Sequence, residues 1–353
     1  MGGRAKALAI LHEGAFIPAI PLALNGRREF DEHGQRVLLR YYLGAGAGGI
    51  AVAVHTTQFA IRRPEVGLLE PVLRVAAEEM EAYEQRAGRT VVRVAGVCGP
   101  AGQAVAEAKL AGRLGYDAVL LSPSGLGRLT EREMVERTAA VAAVMPVIGF
   151  YLQSAVGGRR FSCDYWRAVA DTPNVVALKC APFDRYRTID LARGCACSRR
   201  ADEVALYTGN DDNLVADLLT KYSFRTADGE KRAVRFAGGL LGHWSVWTHT
   251  AVGLFERIKA CRDREEIPAS LLTLAAQVTD CNAAVFDAAN NFAGCIPGVH
   301  EVLRRQGLMA GVWCLDPAET LSPGQAEEIG RVCRDYPHLN DDEFVRKNLA
   351  GWQ

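Results

Sequence analysis

Asn174-Val175-Val176-Ala177-Leu178-Lys179 is a short apolar run that follows a Pro173-Asn174 turn signal and ends on a lysine. Such a run reads as a buried strand with the lysine at its C-terminal end. An ammonium there is costly, because desolvation penalises the charged form, lowers the pKa and leaves part of the amine neutral and nucleophilic. A neutral amine in a dry place is what Schiff-base chemistry on a carbonyl compound requires. The plainer alternative is a lysine that snorkels out of a strand end.

The chain around this run repeats one pattern. Apolar strand-like segments lie at residues 16–24, 49–54, 90–96, 117–123, 146–151, 174–179, 203–208 and 233–238. Helical patterns lie between them, at 31–43, 66–87, 101–114, 130–144, 162–170 and 185–193. Thr130 and Glu133 form a capping-box signature at one helix start. Eight βα units in about 250 residues predict an α/β chain of the (β/α)8 barrel type. A doubly wound open sheet is the alternative, but no strand is followed by a G-x-G-x-x-G turn. The expected barrel covers residues 1–242, and residues 243–353 read as a helical appendage ending in a polar tail. Residues 221–232 are charged and read as a surface loop inserted before the eighth strand.

Composition narrows the class. The chain has 353 residues, 49% hydrophobic and 23% charged, with 41 basic and 41 acidic side chains. Zero net charge gives no reason to expect a nucleic-acid or acidic-membrane partner. No apolar run approaches the roughly 18 residues of a spanning helix. The N-terminus lacks a signal-peptide pattern, and ten cysteines in a chain this long suggest reduced thiols, so a cytoplasmic protein is expected. Cys195 and Cys197 read as a surface-loop pair, since no second pair stands at zinc-ligand spacing. No metal site is expected.

In a barrel, chemistry sits at the C-terminal ends of the strands. Polar residues gather there: His55-Thr56-Thr57-Gln58 after the second strand, Tyr151 at the end of the fifth, Lys179 at the end of the sixth, and Gly209-Asn210-Asp211-Asp212 after the seventh. On these motifs and their order, residues 15–310 resemble the dihydrodipicolinate synthase / N-acetylneuraminate lyase superfamily of class I Schiff-base aldolases. The resemblance implies that Lys179 forms an imine with pyruvate or another 2-oxo acid. It implies that Thr56 and Thr57 bind the carboxylate and that Tyr151 shuttles protons, 28 positions before the lysine as is usual in the family. Phe150 is the alternative alignment, which leaves the tyrosine out. Gly209, Asp211 and Asp212 resemble a substrate-binding loop. The resemblance also implies an aldehyde co-substrate or product, no cofactor, and a homodimer or homotetramer.

The chain departs from the family in places. His55 and Gln58 flank the threonines where the family usually carries glycine, so either the pocket is smaller or they contact substrate. Pro123-Ser124-Gly125 stands where the synthases carry Pro-Tyr-Tyr, leaving His55, Ser124 or Trp244 to replace a relay tyrosine. Val156 stands near the place of an aldehyde-gripping arginine, with Arg159 and Arg160 beyond it. His243, Trp244 and Trp247 follow the eighth strand and read as aromatic packing or pocket lining. Besides a lyase, the sequence allows a non-catalytic barrel paralogue that binds a ligand or serves assembly.

Overall fold

The computed structural model describes residues 3–226 and 229–353. In chain order its elements are α1 (Gly3–Glu13), β1 (Phe16–Pro18), α2 (Glu32–Gly44), β2 (Gly49–Val52), α3 (Leu69–Ala87), β3 (Val92–Val97), α4 (Ala101–Arg113), β4 (Ala118–Leu121), α5 (Glu131–Ala142), β5 (Val147–Leu152) and α6 (Cys163–Asp171). There follow β6 (Val175–Ala181), α7 (Arg185–Ala196), β7 (Ala205–Thr208), α8 (Leu214–Leu219), β8 (Lys221–Arg225), β9 (Lys231–Leu241), α9 (Thr248–Cys261), α10 (Ser270–Val285), α11 (Cys295–Arg305), α12 (Gln325–Asp335) and α13 (Asp342–Trp352). The fold is a (β/α)8 barrel with C-terminal helices. It comprises two compact units: one of residues 1–15 and 92–240, the other of residues 16–91 and 241–353.

In the first unit β3, β4, β5, β6, β7 and β9 pair in parallel in that order. The residues of β3 to β7 are almost all buried on both faces, which is why they read as apolar runs rather than as alternation. Local signals start the helices. Thr130 and Glu133 close the expected capping box on α5, Ser162 caps α6, and Asp184 accepts two backbone N–H groups at the start of α7. Cys195 is buried within α7, where its Sγ faces the Val204 carbonyl, and Cys197 is the helix C-cap. They are helix-end residues and not a surface-loop pair. The ten cysteines are free thiols.

Two elements of this unit were not expected. The N-terminal segment forms α1, which packs against β3, β6 and β7. The buried Tyr207 hydroxyl holds it, donating to the Leu11 carbonyl at 2.6 Å and accepting the Ala15 N–H at 2.8 Å. Gly14 ends α1 at φ +104, where a side chain would run into the Ala237 backbone. The inserted stretch 221–232 is not a loop: β8 and the first half of β9 make an antiparallel hairpin. Tyr222 packs edge-on against Phe236, and Arg193 lies over the Phe224 ring.

In the second unit a parallel bridge joins Ala19 to Ala51. The expected polar tail is instead helix α13. The Asp341 carboxylate just before it accepts the Tyr41 hydroxyl at 2.8 Å, the His249 N–H at 2.9 Å and the Gln306 amide at 2.7 Å. Arg40 donates to the Trp352 carbonyl. Among the described residues no helix is long and apolar enough to cross a membrane.

Candidate active site

Lys179 lies in β6, paired in register with Phe150 of β5 and Tyr207 of β7. It is 7% exposed. Burial pulls its pKa from 10.5 down to about 8, with the charge of Asp211 pushing the other way. An amine with a pKa near 8 is roughly one quarter neutral at pH 7.5, where an ordinary lysine is about one part in a thousand. The Phe150 ring centroid lies 4.3 Å from Nζ, a contact that favours the ammonium and is outweighed by desolvation. Gly209, just past β7, makes room for the aliphatic stem. A methyl group built on it would stand 2.5 Å from Lys179 Cε and 2.9 Å from Ala181 Cβ.

Tyr151 is on the other side of the sheet. Its register partner is Cys180, not Lys179, and residues adjacent along a strand point to opposite faces. Its ring packs on Trp166 and Phe161, with centroids 5.0 and 5.8 Å away, and its hydroxyl accepts the Phe161 N–H at 3.4 Å. Gly149, two residues earlier, faces Trp166 and Val169 of α6 in the same way. Tyr151 therefore faces α6, and Phe150 shares the lysine's face. The cause is a register shift between Val147 and Ile148 in the β5–β6 pairing. A slip of one residue exchanges the faces, so sequence separation alone does not tell which of Phe150 and Tyr151 shares the lysine's face. Tyr151→Phe is accordingly expected to change the rate of any Lys179-dependent reaction less than about threefold in steady-state kinetics, whereas a lost general acid costs roughly a hundredfold or more.

The loop after β7 is built around a carboxylate that sequence reading missed. Asp217 of α8 is buried and accepts from Thr208 Oγ1 at 2.7 Å, Asn210 Nδ2 at 2.8 Å and Arg185 Nη1 at 2.7 Å. Asn210 Oδ1 in turn accepts the Phe183 N–H. This network holds residues 208–213 without using Asp211. Asp212 pairs with Arg185 at 3.4 Å, which gives it a structural partner. Burial raises its pKa. Asp211 is 8% exposed and is the carboxylate whose charge Lys179 senses. Nothing in the local pattern marked Asp217, since one of its partners, Arg185, lies 32 residues earlier in the chain.

In the second unit, residues 54–58 form tight turns: the Thr57 N–H donates to Val54 and the Gln58 N–H to His55. Both threonine hydroxyls are engaged as donors. Thr56 Oγ1 donates to the Ala19 carbonyl at 2.6 Å and the Ile20 carbonyl at 3.1 Å, and Thr57 Oγ1 donates to Ile20 at 2.7 Å. His55 lies edge-on to Phe59. Trp244 stacks on Phe16 with centroids 3.8 Å apart and is 1% exposed, so it is core packing. His243 is buried, with its pKa pushed down to about 4 by desolvation. In the first unit Ser124 Oγ lies close to Gly157, and its N–H donates to Ser122 Oγ.

No family model matches the sequence, and no curated protein does. Solved structures do match the fold. Dihydrodipicolinate synthase from Oceanobacillus iheyensis aligns with TM-score 0.72 at 18% identity, over 94% of this chain and 99% of that one. N-acetylneuraminate lyase from Fusobacterium nucleatum aligns with TM-score 0.70 at 16% identity, over 92% and 99%. A prophage protein of the dihydrodipicolinic acid synthase family from E. coli K12, in complex with pyruvate, aligns with TM-score 0.73 at 15% identity, over 92% and 98%.

Proposed function

We propose, from the fold shared with dihydrodipicolinate synthase and N-acetylneuraminate lyase structures, that this chain is a Schiff-base-forming lyase or aldolase acting on pyruvate or another 2-oxo acid. One observation carries the reading: the buried Lys179 amine, its pKa lowered to about 8. The neutral amine adds to the keto carbon to give a carbinolamine. Loss of water gives a protonated imine, and that cation accepts the electron pair released when the bond beyond the neighbouring carbon breaks. Neither metal nor organic cofactor enters this chemistry. Asp211 is the group assigned to proton transfer at the amine. Thr56 and Thr57, through the loop they build, keep the carboxylate role that the resemblance implies. One neighbour's complex with pyruvate supports a 2-oxo acid as substrate. A cytoplasmic homo-oligomer remains part of the proposal.

The test is reductive trapping. Incubation with pyruvate and borohydride is expected to add one reduced pyruvyl group, seen by intact mass, mapped to Lys179 and absent from Lys179→Ala. Failure to trap any member of a 2-oxo-acid panel sinks the reading. A second reading is favoured by one observation, Phe150 standing on the lysine's face where the family has tyrosine. In it, the barrel binds its ligand without turnover. Trapping that proceeds while no aldehyde is consumed or released would select that second reading.

A further inference from the structure

We infer that Asp217 is a positioning residue for Lys179: through the loop after β7 it fixes Gly209 and Asp211 against the amine. This rests on the reading in which Lys179 is the reacting amine. Asp217 is fully buried in α8. One of its oxygens, Oδ2, accepts both Thr208 Oγ1 at 2.7 Å and Asn210 Nδ2 at 2.8 Å. The other, Oδ1, accepts Arg185 Nη1 at 2.7 Å, Asn213 Nδ2 at 3.0 Å and the Tyr222 hydroxyl at 3.5 Å. All of these groups belong to the first unit, as do Lys179 and Asp211. A buried carboxylate is costly unless its lone pairs are met. Here the donors that meet them also hold the loop.

Thr208 and Asn210 alternate with the residues that face the lysine. A methyl group on Gly209 would stand 2.5 Å from Lys179 Cε, and Asp211 supplies the charge that Lys179 senses. The backbone ties the same stretch. The Gly209 N–H donates to the Cys180 carbonyl at 2.7 Å, one residue past Lys179, and the Asn213 N–H donates to the Asn210 carbonyl at 3.0 Å. Asn210 also reaches the loop after β6, accepting the Phe183 N–H at 3.1 Å and donating to Thr188 Oγ1 at 3.2 Å. Residues 208 and 210 cannot shift without giving up Asp217, and residues 209 and 211 move with them. The other titratable groups nearby are engaged elsewhere. Tyr207 of β7 turns its hydroxyl to Leu11 and Ala15, Cys180 lies on the opposite face with Tyr151, and Asp212 pairs with Arg185.

Competitive acetylation tests this without any 2-oxo acid. Acetic anhydride reacts with the neutral amine and loses acetate, and peptide mass follows the modification of Lys179 as pH is varied. The midpoint is expected near pH 8 in wild type. It should fall by about half a unit in Asp211→Asn, which removes the charge that favours the ammonium. Asp217→Asn sets an amide NH2 against the donors of the loop or against Arg185 and so releases Asp211. Its midpoint is expected to fall by about the same half unit, and the double variant should fall no further than Asp211→Asn alone. General loosening of the barrel mouth would instead hydrate the amine and raise the midpoint, so the direction separates positioning from mere support. A midpoint in Asp217→Asn at or above the wild-type value overturns the inference, as does a double variant whose shift is the sum of the two. Should Asp217→Asn not fold, Thr208→Val removes one anchor at nearly constant shape and is judged by the same outcomes. The expected shifts in a protein that traps no 2-oxo acid sink the proposed reaction and support the placement of the amine by Asp217.

Discussion

Lys179→Met is expected to yield a protein that is more stable at pH 7 and chemically inert toward 2-oxo acids. The sign follows from linkage. In the folded chain the amine titrates at about 8, against the ordinary 10.5. Below pH 8 both states are protonated, and the native state carries the full cost of a buried ammonium. The difference of about 2.5 pKa units corresponds to about 3 kcal/mol. Between pH 8 and 10.5 the unfolded chain holds the proton that the native chain has released, so wild-type stability rises with pH; above 10.5 the penalty is gone. Methionine has a similar length, no charge and a polarizable thioether that tolerates the Phe150 face. At pH 7 its thermal midpoint should exceed that of wild type by on the order of 5 °C. The gap should close as the pH approaches 10.5, and borohydride trapping should fall to background. Denaturation curves at pH 7, 9 and 10.5 measure this directly. Equal stability of the two proteins at pH 7 would mean that the amine is solvated, and the basis for its nucleophilicity would be lost.

The sequence carried the fold further than it carried the site. Continuous apolar runs such as residues 147–152 and 175–181 are legible because strands buried on both faces have no polar side to confuse the pattern. Lys179 was legible for the same reason, as a charge ending such a run. The hairpin was harder. Lys-Tyr-Ser-Phe-Arg at 221–225 alternates as a half-buried strand should, but its charges dominated the reading. Helices α1 and α13 owe their places to long-range bonds, from Tyr207 to Leu11 and from Tyr41 to Asp341, that no local window contains. The placement of Tyr151 turns on one pairing step. Between Val147 and Ile148 the register slips, and from there Phe150, not Tyr151, travels with the lysine. Separation along the chain reports distance between strand ends; it does not report which face a side chain takes when a pairing is irregular. Gln58 was read as bulk in place of glycine, with substrate contact as the alternative. Its positive φ and its bond to the Leu315 N–H required coordinates.

Gly209→Ala is expected to slow imine formation by about tenfold to a hundredfold while lowering stability by about 1–3 kcal/mol. The added methyl would lie 2.5 Å from Lys179 Cε and 2.9 Å from Ala181 Cβ, and 3.3 Å from the Leu240 carbonyl oxygen. Ala181 and Leu240 belong to strands, so the yielding partner is the lysine stem, and the reacting nitrogen moves with it. The loop has little freedom to retreat, because Thr208 and Asn210 on either side are fixed to Asp217. The loss should therefore appear in the first-order trapping rate at saturating pyruvate and not in the concentration needed for saturation. Removing the second obstacle should restore part of the rate: Ala181→Gly combined with Gly209→Ala leaves the new methyl one fewer neighbour and lets the stem settle nearer its original path. Trapping rates and thermal midpoints of the two single variants and the pair form a cycle whose coupling should be positive in both readouts. A Gly209→Ala protein that traps pyruvate at the wild-type rate would show that the position of the stem does not limit the chemistry, and the amine's placement against residue 209 would then be a matter of packing alone.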